Sequence, residues 1–323
     1  MSKYRAHLPQ CQTRPGGPLF LTDGGIETTL IFHEGIDLPH FAAFDLLRDL
    51  EGREALRAYF ARHAAIARRN DVGFILESAT WRASPDWAGL LGYTDEALAA
   101  VNRDSIDLLL EVRQAFETAR SPMVISGCVG PRGDGYDPGE LMTADQAQEY
   151  HTRQIETFAA TEADMISAIT MTNVEEAIGI TRAAQAADMP VAVSFTVETD
   201  GRLPTGQPLK RAIETLDSVT GHGPAYFMIN CAHPTHFRGA VAGGETWLDR
   251  IRGVRANAST MSHAELDEAE ELDSGDPAEL AGQYRELQGL LRNLTVVGGC
   301  CGTDHRHIEA IHDACGGHAA RAA

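Results

Sequence analysis

Two cysteines, Cys300 and Cys301, stand side by side in Val297-Gly298-Gly299-Cys300-Cys301-Gly302-Thr303, directly after the apolar run Leu294-Thr295-Val296-Val297. A third, Cys231, closes another apolar run, Tyr226-Phe227-Met228-Ile229-Asn230. Three thiols at the ends of two expected strands make a soft-metal site. Thiolate selects zinc, and three protein ligands leave a fourth position open, which marks a catalytic rather than a structural site. Adjacent cysteines ligate one metal only where the backbone turns sharply, and Gly298, Gly299 and Gly302 allow the required dihedrals and close approach. Two plainer readings compete: a vicinal Cys300–Cys301 disulfide, and cysteines buried as small apolar side chains. The glycine bracket and the matching third thiol favour metal.

The chemistry follows from thiol acidity. A free thiol titrates near ~8.5 and is a poor nucleophile at neutral pH. Coordination to zinc removes the proton and fixes the sulfur. A substrate thiol taking the open position is then set for in-line attack on an activated methyl group, carried by a sulfonium, an ammonium or a methyl carrier. The partners so implied are a small-molecule thiol and a methyl donor.

Other ligands weigh less. His233, His305 and His307 lie near the cysteines in sequence, but the chain has 13 histidines, and each is more often a surface or capping residue. Asp304 is expected to N-cap the helix that follows Cys301. Cys11, Cys128 and Cys315 read as bystanders, with Cys128 at a strand end. Asp23 either accepts from a substrate ammonium or simply turns the chain before Gly24-Gly25. Trp81, Trp87, Tyr93 and Trp247 offer faces for a cationic methyl donor, although packing is the commoner role of any one aromatic. Thr199–Pro208 reads as either a mobile lid or an inert loop.

At this point the chain resembles the homocysteine S-methyltransferase family, which includes betaine–homocysteine methyltransferase and the homocysteine domain of methionine synthase. The likeness rests on Asn230-Cys231 and on Gly298-Gly299-Cys300-Cys301-Gly302-Thr303, the specific part. It extends to Asp23-Gly24-Gly25, Ser78-Ala79-Thr80-Trp81-Arg82-Ala83-Ser84, Gly127-Cys128-Val129-Gly130-Pro131, Asn173-Val174-Glu175-Glu176-Ala177 and Arg255-Ala256-Asn257-Ala258, nearly the whole chain. The resemblance implies a methyltransferase with zinc on Cys231, Cys300 and Cys301, homocysteine as acceptor and methionine as product. It also implies substrate contacts from Asp23, Glu77, Thr80 and Asn230. One departure stands out. Where similar proteins carry a glutamate that binds the amino group of homocysteine, this chain has Ile169. Glu77, Glu198 or Asp23 must compensate, or the acceptor is a different thiol. A non-catalytic zinc or redox thiol protein is the rival from another class.

These residues need a frame that gathers strand ends. Short runs rich in Val, Ile and Phe recur at Leu19–Asp23, Val72–Glu77, Met123–Gly127, Met165–Ile169, Val191–Phe195, Tyr226–Asn230, Gly253–Asn257 and Leu294–Gly298. Amphipathic stretches alternate with them, such as Leu98/Val101/Ile106/Leu109/Val112/Phe116. Thr143–Gln146 and Asn173–Glu176 read as capping boxes. Eight strands alternating with helices predict a single (β/α)₈ barrel over residues 1–323, with 1–17 a tail. No Gly-x-Gly-x-x-Gly follows the first strand, which argues against an open doubly wound sheet. In a parallel barrel every motif above converges on the C-terminal mouth.

Composition fits a cytoplasmic enzyme. Six cysteines over 323 residues do not form a disulfide framework. Met1–Gly17 lacks the apolar core of a signal peptide. No run approaches roughly 18 apolar residues, so no membrane-spanning helix is expected. With 27 basic against 46 acidic residues the net charge is −19, which argues against nucleic acid. Much of that charge lies in Glu265–Asp276, read as a solvated segment. The methyl donor and the oligomeric state, a homo-oligomer included, stay open at this level.

Overall fold

The computed structural model describes residues 18–316; the tail 1–17, with Cys11, lies outside them. Eight strands close into one parallel barrel in sequence order: β1 Phe20–Leu21, β2 Gly73–Glu77, β3 Met123–Val129, β4 Met165–Met171, β5 Val191–Phe195, β6 Tyr226–Asn230, β7 Ile251–Ala256 and β8 Val296–Gly299. Parallel pairing of β8 with β1 completes the ring. After each strand comes one principal helix: α1 Leu50–Arg69, α2 Asp95–Phe116, α3 Ala144–Ala159, α4 Val174–Ala186, α5 Leu209–Thr220, α6 Pro234–Val241, α7 Pro277–Leu290 and α8 His305–Gly316. All eight expected strands form. They differ from expectation at their ends, because β3 and β4 each run two residues further into the mouth.

Side-chain alternation explains how strands so uniformly apolar hold a polar site. Along β2, Phe74 and Leu76 pack outward against the helices, while Ile75 packs inside the barrel. The next inward position is Glu77. The same period sets Cys128 above Val124, Ile169 above Met165, and Asn230 above Met228 and Tyr226. The inner core of Phe20, Ile75, Val124, Met165, Met228 and Val296 is thus the floor, and the next layer up is the site.

The caps behave as local chemistry demands. Thr143 and Gln146 form a complete capping box on α3. The expected box on α4 is half made: Asn173 accepts from the Glu176 amide, but the Glu176 carboxylate turns instead to the Arg132 amide, 2.7 Å away, and to His151, 2.9 Å away. Buried Glu176 thereby ties the loop after β3 to α3. A third box, Ser262–Glu265, opens the short helix His263–Asp267.

Candidate active site

Cys231, Cys300 and Cys301 meet at the mouth, their three sulfurs all within 4.8 Å of one another. No other group of three or more histidine, cysteine or carboxylate ligands gathers this way among the described residues. Cys231 and Cys300 are joined as a disulfide, with Cys301 free beside them. The close pair is therefore the one across the barrel, from β6 to β8, rather than the two neighbours in sequence.

Each sulfur has one side-chain hydrogen-bond donor. The Tyr136 hydroxyl lies 3.5 Å from Cys301 Sγ, the Thr170 hydroxyl 3.8 Å from Cys231 Sγ, and the Asn230 amide 3.9 Å from Cys300 Sγ. Such donors favour the charged form of a thiol. For Cys301 burial still dominates and pushes the thiol up, with Tyr136 pulling it down and the charge of Glu27 adding to the rise.

The backbone is bent to aim these groups. Cys231 has φ 52° and Thr170 φ 64°, left-handed conformations that non-glycine residues hold only where the surroundings fix them. Around Cys231 the fixing is visible: its carbonyl accepts from His263 Nε2 at 2.7 Å and from Asn257 Nδ2 at 3.1 Å. At Thr170 the β4–β5 register shifts between Ala168 and Met171, a bulge that lets consecutive Ile169 and Thr170 both face the cavity. Asn230 accepts from the Thr170 amide at 3.0 Å and donates to its hydroxyl at 2.7 Å. The glycines beside the thiols divide the two expected duties, turn and close approach, between them. Gly302 alone takes a positive φ, 77°. Gly298 and Gly299 are needed for close approach, since a Cβ there would sit 1.9 Å from Thr22 Oγ1 and 2.0 Å from Thr303 Oγ1.

Under the sulfurs lies a buried ionic knot. Arg255, 7% exposed, donates to Asp23 Oδ1 at 2.7 Å, to Glu77, and to the Gly299 carbonyl at 3.1 Å. Tyr59 donates to the other oxygen of Asp23 at 3.0 Å. Burial pushes both carboxyls up and Arg255 pulls them down, while the two carboxylates hold the guanidinium firmly charged. The planar fork of arginine suits this three-way contact.

The sulfurs, Asp23 and Glu77 all open onto a cavity of about 320 Å³, within the range of small-ligand sites. Ile169, Trp81, Arg82, Tyr136 and Glu27 line it too, and half-exposed Phe32 and Phe41 stand at its rim. Glu27 forms no ion pair among the described residues, and burial pushes its carboxyl up to about 7. Two expected substrate contacts stand behind the wall instead. The Thr80 hydroxyl is occupied by the Cys128 carbonyl at 2.7 Å, and Asn230 reaches the site only through Cys300 and Thr170.

Several secondary expectations change. Arg82 stacks on Trp81 and Trp87, 5.0 and 3.8 Å from their ring centres, and Arg48 covers Tyr93 at 4.1 Å, so those faces already hold cations. Trp247 is buried and donates to Glu245. His233 caps α6, and His307 bridges Asp304 and the Ser274 carbonyl. Thr199–Pro208 lies off the cavity, where Thr205 donates to the Thr172 carbonyl. Residues 134–136 and parts of the acidic segment 266–273 line the cavity instead. Sequence reading missed Tyr136, Thr170, Arg255, His263 and Glu27 as site residues. Only the capping box at Ser262 and the family likeness around Arg255 offered a signal.

Comparison with known proteins fits this geometry. The family model described as homocysteine S-methyltransferase matches residues 20–315. A selenocysteine Se-methyltransferase from Brassica oleracea var. italica is 24% identical over 92% of this chain and 88% of its own length. Among solved structures, the homocysteine methyltransferase MmuM from Escherichia coli in its oxidized form superposes with TM-score 0.74 at 20% identity, covering 94% of this chain and 99% of that one. Its metallated form gives 0.72 at 19%, covering 96% and 99%. At these identities the likeness to the solved structures shows a shared fold.

Proposed function

This chain belongs to the homocysteine S-methyltransferase family, and on that premise we propose that it transfers a methyl group to homocysteine to give methionine, with zinc at Cys231, Cys300 and Cys301. The observation that carries this reading is the convergence of three sulfurs on one point beside a cavity of about 320 Å³. Three soft donors within 4.8 Å fit a thiolate-selected metal. Zinc held there would supply a Lewis-acid seat at which an acceptor thiol loses its proton at neutral pH.

The chain's own residues do the rest. Tyr136, Thr170 and Asn230 each hold a hydrogen bond to one sulfur, which keeps the ligand side chains oriented and their charge dispersed. Arg255 fixes Asp23 and Glu77 and, through the Gly299 carbonyl, the strand end that carries Cys300 and Cys301. Residues 134–136 and parts of 266–273 line the cavity beside the sulfurs. The thiols must stay reduced to bind metal, a requirement that supports a reducing compartment such as the cytoplasm. A second reading, transfer to a different thiol, is favoured by one observation: apolar Ile169 lines the wall where an ammonium partner is expected.

Zinc content and turnover test the proposal together. The protein should hold about one zinc per chain and form methionine from homocysteine with at least one of S-methylmethionine, S-adenosylmethionine and betaine. Serine at any of the three cysteines should lower both. Full zinc occupancy in Cys300→Ser, or no transfer to homocysteine from any donor tested, would overturn it.

A further inference from the structure

We infer that Glu27 is the residue that recognises the acceptor's amino group, holding its ammonium in the cavity that Ile169 leaves apolar; this rests on the amino-thiol reading above. The argument is one of elimination among the cavity's carboxylates. Asp23 and Glu77 are both held by Arg255. Asp134 is paired with Arg82 at 2.7 Å, and Asp273 is bonded to the Gly275 amide. Asp267 and Glu271 lie exposed at the rim, where water screens them. Glu198, the remaining acidic candidate, faces His263 at 3.1 Å and does not line the cavity. Glu27 is left: it lines the cavity, is largely shielded from water, and lacks an ion-pair partner among the described residues.

Its position suits the role. Glu27 sits in the short helix Ile26–Thr28, just after Asp23-Gly24-Gly25. It lines the same cavity as Cys301, so it faces the space where an acceptor sulfur would arrive. The short chain of an amino thiol joins those two places. A half-buried carboxylate with no paired cation carries part of its desolvation cost, and an arriving ammonium relieves that cost as well as its own desolvation. Ile169 and Glu27 thus divide one wall into a surface that rejects charge and a single group that accepts it. The aromatic faces of Trp81 and Trp87 do not compete for the ammonium, because Arg82 already covers them.

Product binding gives a test that needs no turnover. Methionine and its des-amino analogue γ-(methylthio)butyrate are titrated calorimetrically into the reduced protein, into Glu27→Gln and into the charge-keeping control Glu27→Asp. The unaltered protein should prefer methionine by about tenfold or more, the worth of a hydrogen bond to a charged group. Glu27→Gln should lose that preference by weakening methionine alone, and Glu27→Asp should keep more of it. Equal weakening of both ligands in Glu27→Gln would mean a structural role and would overturn the assignment. A preference for methionine that survives in Glu27→Gln would also overturn it while leaving the homocysteine reading intact. No preference in the unaltered protein would remove the amino group from recognition altogether, sinking both this assignment and homocysteine as the favoured acceptor.

Discussion

Replacing Arg255 with methionine tests whether the knot beneath the thiols is the stabilising centre that its contacts describe. The substitution keeps most of the side-chain volume but removes the guanidinium from Asp23, 3% exposed, and Glu77, 5% exposed. Breaking a buried ion pair from one side costs about 3–5 kcal/mol, because the partner charge is left uncompensated. With roughly 2.1 cal/mol/K of unfolding entropy per residue, a chain of 323 residues has about 0.7 kcal/mol/K. The melting temperature should therefore fall by about 4–7 °C at neutral pH. Acidity supplies the signature of the cause. In the unaltered protein burial raises both carboxyls and Arg255 lowers them, so without Arg255 they rise further. A folded pKa above the unfolded one means the folded state binds more protons in between, so stability is lost as pH rises through that window and regained on acidification. Circular-dichroism melts of Arg255→Met at about pH 7.5 and about pH 5.5 should differ in that direction by more than those of the unaltered protein. Adding Asp23→Asn and Glu77→Gln should recover part of the loss. A fall of less than about 2 °C, with no recovery on acidification, would refute the picture of two buried carboxylates dependent on one arginine.

Two further outcomes follow from the site. Tyr136→Phe removes the hydroxyl 3.5 Å from Cys301 Sγ and should weaken zinc retention about ten- to a hundredfold in chelator competition, with little change in melting of the metal-free protein. Metal-free protein left in air should lose methyl-transfer activity, recover it with reductant plus zinc, and yield a Cys231–Cys300 bridge on peptide mapping, since these sulfurs are the joined pair. A mapped Cys300–Cys301 bridge would contradict that pairing.

The barrel was legible because its two periods are plain. Strand runs of β-branched and apolar residues sit between helices whose apolar stripe is regular, as on α2 from Leu98 to Val112. The three-cysteine cluster was legible because thiols beside glycines at strand ends have few structural duties. What remained hidden depended on conformation rather than composition. Thr170 is an ordinary strand residue by type, and only the β4 bulge and its φ of 64° turn it toward Cys231. Tyr136 lies in a loop whose path no periodicity predicts, and it reaches the site stacked on His263, ring centres 4.0 Å apart. Asp23 and Glu77 were seen as free carboxylates because nothing in their own segments reveals Arg255, which lies 178 residues beyond Glu77. Carboxylate availability is a property of the closed barrel, not of the motif.

The position of β8 has a consequence for the order of events during synthesis. Cys231 follows β6, but Cys300 and Cys301 follow β8, the strand whose pairing with β1 closes the ring. The bare faces of Gly298 and Gly299 admit Thr22 and Thr303, so strand closure and thiol placement use the same surfaces. While a ribosome is still extending the chain through α7, two of the three clustered cysteines have not yet emerged, and no partial barrel offers more of the cluster than Cys231. For the zinc site proposed above, metal delivery would be confined to the time after β8 has left the tunnel, when ring closure and site completion coincide. Under that proposal a nascent chain would not be loaded early with the wrong ion at a half-built centre.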